Sequence, residues 1–110
     1  NNEIKAITSD FIIYACFLQI QYQTKSLELM QDFFKLINEL KGLHIYRPFL
    51  TDVSSALSSS KQYNLDFDDS LIISCMVVNN IQTLVSFDKD FNKVNIIKRL
   101  EPEQYIKNNE

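Results

Sequence analysis

The sequence predicts a single α/β domain with a small, mainly parallel sheet, and three observations carry that expectation. Helical stretches at residues 10–23, 26–40, 49–63 and 66–79 alternate with short strand-like runs at 43–46, 82–87 and 95–100. One glycine and two prolines leave little room for long irregular connections, so regular elements should be joined by short turns. A length of 110 residues, 45% hydrophobic and 23% charged, suits one modest core and not two. Residues 1–110 are therefore read as one domain.

Taken in order, residues 1–5 are polar and expected to fray. Thr8 or Ser9 suits an N-cap, and Asp10 suits a first helical turn. The helix at 10–23 is apolar almost all round, through Phe11, Ile12, Ile13, Tyr14, Phe17, Leu18 and Ile20, so it should be deeply buried or packed on a partner. Ser26 caps the next helix, in which Leu29, Phe33, Leu36, Ile37 and Leu40 share a face. Gly42 is placed as its C-cap glycine. Leu43 to Tyr46 reads as a strand closed by Arg47-Pro48, with His44 a surface residue. A serine-rich helix follows, and no glycine elbow frames Ser54, Ser55, Ser58, Ser59 or Ser60 as a nucleophile, so these are helix-surface serines. A helix opening at Asp66 or Phe67, a strand at 82–87, a loop or short turn at 88–94, a strand at 95–100 and a polar tail complete the chain.

Composition excludes some functions. A net charge of −3 argues against binding nucleic acid through bulk charge, although a metal cluster can offset carboxylates locally. The run at 11–23 turns polar too soon to span a membrane, and no export signal is expected. Cys16 and Cys75 sit in apolar runs without metal-type spacing, which suits buried thiols in a reduced cytoplasm.

The chemistry gathers between Tyr63 and Val94. Asp66, Asp68 and Asp69 precede the apolar run LIISCMVV, and Asp88 and Asp90 follow the strand-like run TLVSF. Aspartates before a helix also serve as caps, and Asp66 and Asp69 hold capping-box spacing. If the strand is parallel to its neighbours, its C-terminal end lies at the ligand-binding edge of the sheet. Carboxylates gathered there repel one another unless a hard cation such as Mg²⁺ or Mn²⁺ sits between them.

Leu65-Asp66-Phe67-Asp68-Asp69-Ser70, an apolar helix, and then Leu84-Val85-Ser86-Phe87-Asp88-Lys89-Asp90-Phe91 resemble the C-terminal half of a PIN domain, closest to the VapC-type toxins of prokaryotic toxin–antitoxin pairs. The resemblance implies a three-layer α/β/α fold and a Mg²⁺- or Mn²⁺-dependent endoribonuclease that leaves a 3′-hydroxyl and a 5′-phosphate. It implies metal-holding, catalytic roles for Asp69, Asp88 and Asp90, with Asp68 and Ser86 in support. Lys89 and Lys93 stand where they could meet RNA, with Lys98 and Arg99 extending a phosphate path, or all four belong to an ordinary solvated surface. It further implies a homodimer and a small antitoxin partner in the cytoplasm, with no membrane association.

Two departures accompany the resemblance. The family's opening strand with Asp-Thr-Asn is not found, so the N-terminal strand is expected to be missing and the domain incomplete there. The position of a further acid, six residues after Ser9, holds Ala15. These departures favour the alternative reading, a non-catalytic PIN-like module that binds protein or RNA.

Overall fold

A computed structural model describes residues 5–108 of the chain. The chain divides into two compact units, Asn1–Arg47 and Pro48–Glu110. Each is an α/β unit built on a pair of parallel strands.

The first unit opens with strand β1 (Ala6–Ser9), which runs directly into helix α1 (Asp10–Thr24). Helix α2 (Leu27–Glu39) and strand β2 (Leu43–Tyr46) follow. β1 lies parallel to β2, with Ala6 opposite Leu43 and Ser9 opposite Tyr46. β1 is a strand that the sequence reading did not pick out before the first helix. It carries no acid, so it is not the family's Asp-Thr-Asn strand. Residues 1–4 of the segment expected to fray lie outside the described residues.

Ser9 does stand at the N-cap of α1, yet its side chain caps no backbone group. The hydroxyl turns to the Asp10 carboxylate instead, at 3.4 Å. Lys25 ends the helix in the left-handed region, and its N–H donates to the Gln21 carbonyl. Ser26 caps α2 as expected, its Oγ accepting from the Leu29 N–H at 3.1 Å. α2 reaches its C-cap at Leu40, so Gly42 falls beyond it, in the turn that enters β2. Its φ of 85° is open to glycine at little steric cost. Phe17 and Phe33 pack edge to face, centroids 5.1 Å apart, and tie α1 to α2.

The apolar helix α1 is not deeply buried: Ile13 alone among its described residues is buried, while Tyr14, Leu18 and Tyr22 are exposed. Leu29 and Leu36 of α2 and its C-cap residue Leu40 are exposed too. Cys16 is half-buried rather than buried, Cys75 is buried, and both are free thiols.

The second unit contains helices α3 (Leu50–Tyr63) and α4 (Phe67–Val78), strand β3 (Thr83–Val85), a 3₁₀ turn (Lys89–Lys93), strand β4 (Lys98–Leu100) and helix α5 (Pro102–Asn108). The buried Asp52 carboxylate accepts from the Phe49 N–H at 2.8 Å and fixes the start of α3. α3 and α4 approach closely because small residues line the contact: Ala56 and Ser70 are fully buried. Ser60 is not a free surface serine, since its Oγ lies 2.8 Å from that of Ser70.

Beneath α4 lies the core of this unit: Leu65, Ile73, Met76, Phe91 and Val94, with Ile72, Leu84 and Ile97 packed against it. Asn80 turns the chain at a φ of 56°, and β3 then pairs in parallel with β4, Leu84 opposite Arg99. Both strands are shorter than the sequence suggested. The segment after β3, read as a loop or short turn, coils as a 3₁₀ turn, and Phe91 and Val94 are drawn into the core. Among the described residues, no helix is long and apolar enough to cross a membrane.

Candidate metal centre

Two segments of the second unit build the site, and each is shaped by its own local chemistry. The first is the entry to α4. Asn64 ends α3 in the left-handed region, a conformation asparagine accepts more readily than most residues. Leu65 then plunges into the core, which fixes where Asp66 can stand. Asp66 occupies the N-cap position with extended backbone angles, but its carboxylate makes no cap bond. The Asp68 Oδ1 accepts the Asp69 N–H at 3.0 Å. Helix capping thus accounts for little of this acidity. One carboxylate oxygen from each of Asp66, Asp68 and Asp69 lies within 4.8 Å of the others, the first two residues exposed and Asp69 half-buried.

The second segment follows β3. The Ser86 N–H donates to the Leu100 carbonyl at 2.9 Å, extending the parallel pairing one residue past the strand. The Ser86 Oγ accepts the Asp88 N–H at 3.1 Å, and Asp88 Oδ1 accepts the Asp90 N–H at 2.9 Å. Asp88 therefore caps the 3₁₀ turn with one carboxylate oxygen. Both Asp88 and Asp90 lie beyond the C-terminal end of a parallel strand, the edge where α/β sheets hold ligands. Phe91 anchors the turn from below.

The two segments meet electrostatically at Asp69. Its carboxyl is pushed up from 3.8 to about 6, first by burial and then by the negative charges of Asp68, Asp88, Asp66 and Asp90. Every charge in that list is another carboxylate. A site of this kind is strained by its own repulsion, and a bound cation would relieve it. The donors are hard carboxylate oxygens without sulfur or imidazole, which is the ligand chemistry of Mg²⁺ and Mn²⁺. The residues therefore fit a divalent cation.

The five aspartates between Tyr63 and Val94 act on one another here. Asp69 is at their centre, Asp68 and Asp66 are beside it, and Asp88 and Asp90 are near enough to act on its proton. The tight group differs from the expected set, because Asp66 belongs to it while Asp88 and Asp90 do not. Its three members come from a single helix start, and only the three-dimensional turn at Asn64–Leu65 decides that they converge. Lys89 is exposed at the start of the 3₁₀ turn. Lys93 donates to the Asn64 carbonyl at 3.0 Å and so bridges the two acidic segments. In the first unit, Ala15 is exposed on α1 and offers no ligand atom, and Asp10 stands 3.9 Å from the Arg47 guanidinium.

Small parallel sheets, helical connections and a carboxylate cluster at a helix start, with further acids beyond a strand end, suit a nuclease-like α/β fold. The chain belongs to the PIN domain family, whose sequence pattern matches residues 2–97. No curated protein and no solved structure matches it.

Proposed function

We propose that the chain is a Mg²⁺- or Mn²⁺-dependent endoribonuclease of the VapC-like kind, hydrolysing phosphodiester bonds in RNA. The observation that carries this reading is the half-buried Asp69 with four carboxylates acting on it, in a chain of the PIN family. Asp69, Asp88 and Asp90 would hold the cation, with Asp68 and Asp66 beside them. Ser86 holds Asp88 in place through the Asp88 N–H. A bound divalent cation supplies an acidified water and countercharge for the phosphodiester. Asp69 is the group on which protons compete with that cation, because its own proton affinity is raised. Lys89, exposed at the start of the turn, is placed to meet an RNA phosphate.

The same reading brings partners with it. The exposed apolar residues of α1 and α2 support a homodimer, and an antitoxin chain would cover the acidic site. The free thiols of Cys16 and Cys75 suit a cytoplasmic setting.

A second reading, a PIN module that binds RNA or protein without cutting, is favoured by the exposed Ala15 and by the acid-free β1. Incubation of a labelled RNA oligonucleotide with protein and Mn²⁺ separates the two. Cleavage that leaves 5′-phosphates and falls at least about 100-fold in Asp69→Asn and Asp88→Asn supports the enzyme. RNA retention without cleavage supports the binding module.

A further inference from the structure

The side chain of Arg99 spans the acidic loop. It projects from β4, opposite Leu84 in the parallel register, and its guanidinium makes two hydrogen bonds in different directions. Nη1 donates to the Ser86 carbonyl at 2.9 Å, at the point where the chain leaves β3. Nε donates to the Asn92 Oδ1 at 2.8 Å, near the far end of the 3₁₀ turn. The residues between those two anchors include Asp88 and Asp90. The planar fork of arginine suits this bridging of two acceptors, whereas a lysine ammonium is a point donor on a flexible stem. Lys93 adds a second tie, from the same turn to the Asn64 carbonyl that precedes Asp66.

The loop needs such a device. Its own internal bonds are short-range, from Asp88 N–H to Ser86 Oγ, from Asp90 N–H to Asp88 Oδ1 and, at 3.4 Å, from Phe91 N–H to the Asp88 carbonyl. Its two carboxylates face like charge at the start of α4, which pushes the segments apart. Phe91 holds the turn by its apolar side, and the guanidinium holds its rim.

We propose that Arg99 is a positioning residue, a clamp that closes the Ser86–Asn92 loop and presents Asp88 and Asp90 to the acids of α4. It does this instead of meeting RNA phosphate. The clamp itself stands on the hydrogen bonds; its consequence for a cation rests on the ribonuclease reading above.

The test uses the full chain with Arg99→Lys, which keeps the charge, and Arg99→Gln, which removes it. Amide hydrogen exchange of the metal-free protein should accelerate about tenfold or more at Asp90 and Phe91 in both variants, with Ile73 and Met76 of α4 unchanged. Loop exchange equal to wild type overturns the clamp, and so does acceleration by one common factor at every amide. Calorimetry with Mn²⁺ alone then separates the two claims. Both variants should bind about tenfold more weakly, and Arg99→Gln should cost nothing further once Asp88→Asn is present. Additive losses in that double variant overturn action through Asp88. Accelerated loop exchange in a protein whose wild type binds no Mn²⁺ upholds the clamp and overturns the metal reading.

Discussion

Asp69 carries a cost that its neighbours impose on it. Its folded pKa of about 6 lies above its ordinary 3.8, so the folded state binds more protons between those two values. Stability consequently falls as the pH rises through that window and stays reduced above it. Asp69→Asn removes the charge and the cost together. After a discount for solvent screening on a half-buried group, the metal-free variant should melt roughly 2–4 °C above wild type at pH 7.5. At a pH below the ordinary carboxylate value the two should melt together. Thermal denaturation at both pH values checks this, and a variant less stable at pH 7.5 would show that Asp69 makes a structural bond instead. Sequence spacing was enough to single out Asp69 and Asp88, because acids before an apolar helix and after an apolar strand are visible as letters. Asp66 was among the gathered acids, but spacing did not decide its place in the tight group, and the two-ended grip of Arg99 was not visible. The first depends on how the Asn64 turn orients three near neighbours in sequence, and the second on the β3–β4 register, which brings Arg99 to a loop far from it in sequence.

Among the elements, those with strong local signals were legible. α2 has its serine cap and periodic apolar positions, and β2 is bounded by Gly42 and Arg47-Pro48; the structure places both within a residue of expectation. β1 was missed because Ala6-Ile7-Thr8-Ser9 is short and only Ile7 is strongly apolar. It exists through pairing with β2, more than thirty residues downstream, and no local propensity reports such a contact. The serines of α3 misled in one place for a related reason. A serine on a helix surface and one in a tight helix contact look alike until the partner helix is known, and Ser70 of α4 is that partner for Ser60. The contact between α3 and α4 depends on small side chains, so it can be tested by size. Ala56 is fully buried there, and Ala56→Leu should lower stability by about 1–3 kcal/mol through overpacking. Urea denaturation measures this; a neutral result would mean that the helices part without cost.

For the molecule as a whole, the fold class was legible, and of the two places expected for the apolar helix the chain's own core is not the one it takes. An apolar helix was expected to be deep in a core or on a partner, and α1 keeps Tyr14, Leu18 and Tyr22 exposed at a spacing that forms one stripe. The proposed homodimer would cover that stripe. Sedimentation should then report twice the chain mass, and Leu18→Glu, by placing a charge in the interface, should return the chain mass. A wild-type monomer at high concentration contradicts the homodimer. The central claim concerns the acids, and it is most directly tested by titrating Mn²⁺ into the protein by calorimetry at pH 7.5, with Asp69→Asn and Asp88→Asn beside it. The expected result is saturable binding that weakens at least about tenfold in both variants, since each removes a charged oxygen donor from one shared site. A wild type that binds no Mn²⁺, or variants that bind as tightly as wild type, would contradict the account.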